Sequence, residues 1–297
     1  MHLYWAWVAA FLLKLIGATA DVSWHFQHLR ETLAIPHVIN GIGFFLAAGL
    51  LAYQMVYRKY SDVVAIRTVW VGLATFLVAA PLDELYHRIY GLDLTAWSPT
   101  HALLYIGTFL MIAGTAAGFL KSPEATANPH RAFWLSLIIC LFLMEDVLFP
   151  LGQQEYGSVA RWLVNHGRSI ADADLLARVS DPFHQTYGGF PLALYPVYLV
   201  GAYVFCMGLA RRFIAHRWAA TLATGLYLLF RATAWTIFHY RGMPVSFVPY
   251  FTLGMAAMAG FAGLGLAGLL ADLLMGPPVQ DADRMGARRR ASRIGVI

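Results

Sequence analysis

The sequence predicts an all-α protein, a polytopic transmembrane helix bundle of about eight spans built as repeated helical hairpins. Three observations favour this fold class. Hydrophobic residues make up 59% of the 297 residues and charged residues only 12%, which excludes an ordinary water-soluble domain. The apolar runs are roughly 20 residues long, the length that crosses a bilayer. They also lack a two-residue alternation, which favours helices over the strands of a membrane barrel.

Eight apolar runs define the predicted spans. They cover residues 3–20, 36–57, 63–82, 100–120, 131–150, 189–210, 217–238 and 245–274. The first run ends in Ala-Thr-Ala at residues 18–20, which is similar to a signal-peptide cleavage site, although Lys14 interrupts the run. Cleavage of this run therefore stays open as an alternative. Residues 1–275 are predicted to form the transmembrane domain, and residues 276–297 a basic, disordered cytoplasmic tail.

The distribution of basic residues indicates the orientation. Lys and Arg gather in the second, fourth and sixth connections and in the tail, so the positive-inside rule makes these regions and both termini cytoplasmic. Most histidines and acids then lie on the opposite side, which we expect to be the periplasmic face of a bacterial inner membrane. The long loop 151–188 lies there too. Its segment 155–179 is predicted to be an amphipathic helix that lies on the membrane surface or caps a site.

The outer loops repeat a pattern. An acid and a histidine one helical turn apart precede a proline and a second histidine at the start of the next span. The residues are Asp21, His25, Pro36 and His37 in the first hairpin, and Asp83, His87, Pro99 and His101 in the second. The third and fourth hairpins keep only partial copies, which contain Glu145, Asp146, His184 and His239. The sequence thus predicts four related hairpins.

Carboxylate and imidazole side chains in this pattern form a metal-ligand set. Residues four apart share one helix face, so Asp83 and His87 can meet His101 across the hairpin. Ionisable groups at the edge of a span are costly, which favours a functional role. The alternative is a polar interfacial loop within an aromatic belt. Asp21, His25 and His37 are the ligands of a second predicted set.

Glu145 and Asp146 are candidate accessory residues, and because they are adjacent only one can face a given centre. Either one is a ligand or a proton acceptor, or Glu145 forms a salt bridge with Arg231. His184 and His239 either join a site or hydrogen-bond a neighbour. The sequence contains no HExxH metalloprotease motif, no GxSxG hydrolase motif and no phosphate-binding glycine loop. It therefore assigns no catalytic residue.

A family resemblance adds to this pattern. The residues that carry it are Asp83, His87, Asp93, Ser98-Pro99-Thr100-His101 and Tyr105-x-Gly107, with Asp21, His25 and Pro36-His37 as a looser second match. This segment resembles the C subunit of the copper membrane monooxygenases, the particulate methane and ammonia monooxygenases. The resemblance implies a copper site, oxidoreductase activity on a small or lipid-soluble substrate, and other membrane subunits as partners. Another divalent transition metal stays open as an alternative.

Three classes of function remain. The first is an integral membrane metalloprotein with an extracytoplasmic Asp/His site, as a copper-dependent monooxygenase-type subunit. The second is a metal carrier or transporter, which the scarcity of ionisable groups in the inner half of the spans (Lys14, Arg67 and Asp272) disfavours. The third is a non-catalytic assembly subunit. The expected partners are membrane lipid and membrane subunits, and not nucleic acid.

Overall fold

The computed structural model describes residues 2–25, 34–57, 62–90, 98–148, 195–214, 216–240 and 255–274. These residues are helical apart from short turns and caps, and none of them forms a strand. The helices are α1 (His2–His25), α2 (Ile35–Tyr57), α3 (Val63–Tyr90), α4 (Pro99–Leu120), α5 (Pro123–Ala127), α6 (Pro129–Leu148), α7 (Tyr195–Phe213), α8 (Ala219–Tyr240) and α9 (Met255–Leu274). The predicted loop 151–188 and tail 276–297 lie outside the described residues.

Four helices are long and apolar enough to cross a membrane. The candidate spans are His2–Asp21, Ile35–Tyr57, Val63–Tyr86 and Pro99–Leu120. The four later runs predicted from the sequence overlap α6 to α9, and the apolar stretch Ala262–Leu274 of α9 is shorter than a span within the described part of the chain. The all-helical architecture is therefore confirmed, with four candidate spans.

Two helices extend beyond the apolar runs from which they were predicted. α3 continues through Pro81 to Tyr90, and α1 continues to His25. A proline inside a helix removes one backbone hydrogen bond, and the residues after Pro81 are mostly good helix formers with no glycine before Gly91. As a result the acid and the first histidine of each predicted set stand on one helix, four residues apart.

Glycines bring the backbones of α1 and α2, and of α3 and α4, into close contact. A Cβ added to Gly43 of α2 would lie 2.6 Å from the carbonyl oxygen of Ala10 in α1. A Cβ added to Gly107 of α4 would lie 2.9 Å from the carbonyl oxygen of Gly72 in α3. Small residues allow such close approach between membrane helices, so each pair packs as a tight antiparallel hairpin.

α6 joins the two halves of the bundle. Leu135, Ile139 and Phe142 pack in the core formed with α1 to α4, whereas Leu137 and Met144 pack in the core formed with α7 and α8. A helix with apolar residues on all its faces is buried rather than set at a surface. Glu145 and Asp146, near the end of α6, are therefore brought to where the two halves meet.

One acid, Asp272 of α9, fixes the start of α8. Its carboxylate accepts hydrogen bonds from the backbone N–H of Ala220 at 3.1 Å and from the N–H and hydroxyl of Thr221 at 2.7 and 2.8 Å. It also pairs with Arg211 of α7 at 2.7 Å. A carboxylate is favoured at a helix N-terminus, so this side chain ties three helices together.

A second acid, Asp62, has the same role at the start of α3. It accepts hydrogen bonds from the N–H groups of Val64 and Ala65 and forms an ion pair with Lys121, just after α4. The hydrogen bond from Lys121, together with those backbone bonds, lowers the pKa of Asp62 below its ordinary value of 3.8. The carboxylate therefore serves as a helix cap and as a link between α3 and α4.

Candidate metal site and the buried charges beneath it

Asp83 and His101 contact each other where α3 ends and α4 begins. His101 Nε2 lies 3.4 Å from Asp83 Oδ2, and the Thr100 hydroxyl donates to Asp83 Oδ1 at 2.6 Å. The Ser98 hydroxyl caps α4 by accepting from the N–H of His101 at 3.2 Å, and Pro99 opens the helix. The Ser-Pro-Thr-His sequence thus fixes the helix start that brings the imidazole to the carboxylate. Both side chains are largely buried, at 15% and 22% exposed.

Asp21 and His37 form a corresponding pair between α1 and α2. His37 Nε2 lies 2.9 Å from Asp21 Oδ1, and the two side chains are more exposed, at 41% for His37 and 30% for Asp21. The alternation of antiparallel helices places this pair at the same end of the bundle as Asp83 and His101. We call the four residues together the Asp–His end.

The two pairs have the same position relative to the glycine contacts. Ala10 and Gly72 each precede the acid of their hairpin by 11 residues. Gly43 and Gly107 each follow the second histidine by 6 residues, and their missing Cβ atoms face Ala10 and Gly72 respectively. The two hairpins therefore combine the same helix register with the same acid–histidine contact.

The donor set can be tested against a metal ion. Two ligands about 2.1 Å from one ion lie about 3.0 to 3.4 Å apart in octahedral or tetrahedral geometry. The observed separations of 2.9 and 3.4 Å fit this requirement. Among the described side chains no group of three or more His, Cys, Asp or Glu can hold an ion. The third predicted ligand of each set, His25 or His87, has its side chain outside the described part. Two members of each predicted set are thus brought together.

A buried salt bridge lies beneath the Asp–His end. Arg231 Nη1 donates to Glu145 Oε1 at 2.7 Å, and the two side chains are only 2% and 3% exposed. The Thr19 hydroxyl of α1 lies 3.5 Å from the same oxygen. The interpretation of Glu145 as a salt-bridge partner of Arg231 is therefore confirmed, and the bridge joins α6 to α8.

Lys14 is buried nearby, at 3% exposed. Its Nζ donates to Asn40 Oδ1 at 2.8 Å and lies 3.4 Å from the centroid of the Phe76 ring. An aromatic face attracts a cation, so Phe76 supports the charged form of Lys14. Asp146 interacts electrostatically with Lys14 and with Glu145.

Sequence reasoning missed Asn40 and Phe76 as partners of Lys14. The signal that could have found them is Lys14, because a lysine within an apolar run requires partners on the neighbouring helices. Of the other predicted site residues, Asp93 and His184 lie outside the described residues, and so does the side chain of His239.

No family model, curated protein or solved structure matches this chain.

Proposed function

We propose that the protein is an integral membrane metalloprotein whose Asp–His end holds metal on the periplasmic side of a bacterial inner membrane. The observation that carries this proposal is the contact between Asp83 and His101, which pairs a carboxylate with an imidazole at ligand spacing. In this proposal the chain has about eight spans and both termini are cytoplasmic. Each metal set is completed by the histidine one turn beyond its acid, His87 in one hairpin and His25 in the other.

Hairpin repetition is part of the proposal. The shared register of the Gly43 and Gly107 contacts, with an acid–histidine pair above each, supports a common origin of the two hairpins. If the two hairpins share one structure, each should hold a metal ion with the same types of ligand. The set with Asp83 is the more enclosed, which makes it the stronger candidate for tight binding.

Copper is the metal that the monooxygenase resemblance favours, and imidazole with carboxylate suits it. Bound copper would supply one-electron chemistry with dioxygen toward a small or lipid-soluble substrate. The chain's own residues have a positioning role that is visible without the metal. Thr100 holds one oxygen of Asp83, leaving the other directed at His101, and Ser98 fixes the backbone at His101.

A metal carrier is the second candidate function. The observation that favours it is the burial of Lys14, Glu145 and Arg231 below the Asp–His end, because these charges extend polar chemistry further into the bundle than the sequence indicated. Copper uptake by sealed proteoliposomes that depends on His101 would favour the carrier. Copper that stays bound without crossing the bilayer would favour the metalloprotein with a resident ion.

Metal analysis of the purified full-length protein tests the proposal. After loading with Cu²⁺ and removal of excess ion, the wild type should retain stoichiometric copper, and Asp83→Asn and His101→Ala should lose most of it. His130→Ala is the matched control, because His130 is an exposed histidine whose ring contacts Trp134 and, among the described residues, no acid. The proposal would be wrong if the wild type held no stoichiometric metal, or if His101→Ala and His130→Ala retained equal amounts of copper. A non-catalytic assembly subunit would then be the remaining function.

A further inference from the structure

The turn between α7 and α8 carries the sequence His216-Arg217-Trp218 at the end of the bundle opposite the Asp–His end. The N–H of His216 donates to the carbonyl oxygen of Ile214 at 2.9 Å, and the N–H of Ala219 donates to the carbonyl oxygen of His216 at 3.1 Å. Ile214 and Ala219, on either side of the turn, are both 0% exposed. Because its two flanking residues are anchored in the core, the turn holds its side chains in a defined place.

The guanidinium of Arg217 is oriented by an aromatic ring. Its Cζ atom lies 4.7 Å from the centroid of the Trp218 ring. An arginine placed over an aromatic face keeps its planar fork of N–H donors, which matches the oxygens of a phosphate. Arg217 is exposed, and among the described residues no ion pair joins it to an acid. The protein thus orients these donors without placing a described carboxylate on them.

His216 adds a second donor beside Arg217. Its Nδ1 accepts a hydrogen bond from the backbone N–H of Trp218 at 3.1 Å. A neutral imidazole has one acceptor nitrogen and one donor nitrogen, so this ring carries its proton at Nε2. The His216 side chain is exposed, and its ring packs against Phe133 of α6 with the centroids 5.8 Å apart. Two adjacent residues therefore offer donors, which suits a ligand that only accepts hydrogen bonds, such as a phosphodiester.

Aromatic side chains of α6 continue from this turn to the surface. The rings of Phe133 and Trp134 lie 5.3 Å apart, Trp134 is 47% exposed, and its Nε1 donates to His130 at 3.3 Å. Leu135, the next residue of α6, packs in the same core as Phe119 near the end of the candidate span α4. Tryptophan is enriched where the bilayer meets water. The turn and these rings therefore lie at the level of the lipid headgroups.

Positive charge is in excess at this end. The described residues here include six basic side chains, Arg67, Lys121, Arg131, Arg211, Arg212 and Arg217, and three acids, Asp62, Glu124 and Asp272. Two of the acids are already paired, Asp62 with Lys121 and Asp272 with Arg211. Clustered basic residues at a membrane surface attract anionic headgroups. An acidic protein segment would feel the same attraction, but the exposed tryptophan at headgroup level favours a lipid.

We propose that His216 and Arg217 bind the phosphodiester of an anionic phospholipid in the leaflet at this end of the bundle. Arg217 supplies the charge and the paired donors, and His216 Nε2 donates a further hydrogen bond. Phe133 and Trp134 form the apolar wall beside the headgroup. A zwitterionic lipid binds less well, because its ammonium group meets the surrounding basic residues. This inference depends neither on metal binding nor on which side of the membrane is cytoplasmic.

Native mass spectrometry of the delipidated full-length protein tests the site by titration with phosphatidylglycerol or phosphatidylcholine. The wild type should bind phosphatidylglycerol more tightly. Arg217→Gln should lower that affinity by about fivefold, the effect of one basic residue near an anionic surface. His216→Phe keeps a ring beside Phe133 but has no donor, and should lower it by about threefold. Arg88→Gln is the matched control, because it removes an exposed arginine at the Asp–His end, where Arg88 pairs with Glu84.

Three results would overturn the proposal. One is equal binding of the two lipids by the wild type, and another is equal phosphatidylglycerol affinity in Arg217→Gln and Arg88→Gln. The third is displacement of phosphatidylglycerol by an equal concentration of inorganic phosphate or of a polyglutamate peptide, which would assign the turn to a free anion or to an acidic protein segment. Copper loading should leave the lipid affinity unchanged, which separates this test from that of the metal site.

Discussion

The two ends of the helix bundle use aspartate differently. At the Asp–His end, Asp21 and Asp83 contact histidines. At the opposite end, Asp62 and Asp272 pair with Lys121 and Arg211 and accept hydrogen bonds from helix N-termini. The same residue type therefore meets permanent cations and backbone donors at one end, and a titratable ring at the other.

This difference indicates which carboxylates are free to bind an ion and which are needed to stabilise the fold. Lysine and arginine stay charged at physiological pH, and backbone N–H groups cannot leave, so a carboxylate that they hold is committed to the fold. A neutral imidazole instead offers a lone pair, and both it and its carboxylate partner can turn to an ion. The environment around an acid, rather than its position near a membrane edge, separates the aspartates that stabilise the fold from those that we propose to bind metal.

The largest effect is expected from Asp272→Ala at the opposite end. The change leaves Arg211 buried without its partner and removes the cap of α8, and breaking a buried ion pair lowers the free energy of unfolding by about 3 to 5 kcal/mol. Asp83→Ala should lower it by only about 1 kcal/mol, because a histidine and a threonine lose one contact each. Denaturant unfolding in a fixed detergent compares the two. Equal losses would show that the ends do not differ as described.

The next effect concerns the hairpins that carry the Asp–His end. Gly43→Ala and Gly107→Ala should each lower the free energy of unfolding by about 1 to 3 kcal/mol, because the added methyl meets backbone atoms of the partner helix that cannot yield. Gly49→Ala, whose Cβ meets nothing within 4 Å, is the matched control and should have no such effect. If only one of the two substitutions, Gly43→Ala or Gly107→Ala, lowers the free energy of unfolding, the two hairpins do not pack in the same way.

A smaller effect is expected from Thr100→Val, which keeps the shape of the side chain and removes its hydrogen bond to Asp83. Loss of a group that orients a ligand typically lowers metal affinity by about 10- to 100-fold, so the variant should bind copper more weakly with unchanged stoichiometry. Competition titration with a chelator measures the affinity. Thr68→Val is the control, since within the described part of the chain the Thr68 hydroxyl donates to the carbonyl oxygen of Val64 in its own helix. Unchanged affinity in Thr100→Val would mean that Asp83 is not a ligand.

The sequence predicted the all-helical membrane fold and the contact between Asp83 and His101, because long apolar runs and the Ser-Pro-Thr-His helix start are local signals. It also identified the Glu145–Arg231 bridge as one of two alternatives. Lys14 was identified as an interruption of an apolar run and as one of few ionisable groups within the spans, but without its partners. Its partners Asn40 and Phe76 lie on two other helices, and which residues meet across helices depends on the register set by packing at positions such as Gly43.

The smallest effect is a pH dependence at the opposite end. The pKa of Asp62 is lowered in the folded protein, so its stabilising contribution is complete above its ordinary pKa of 3.8 and is lost as the pH falls through the lowered value. Lys121→Met should lower the free energy of unfolding by no more than a few tenths of a kcal/mol at pH 7, because the lysine side chain is largely exposed to solvent and its charge is screened by salt. The difference between variant and wild type should vanish at acid pH, where Asp62 is protonated. Arg131→Met, another basic residue at this end, should show no such convergence, and a Lys121→Met deficit that persists in acid would mean that the lysine acts through packing rather than through its charge.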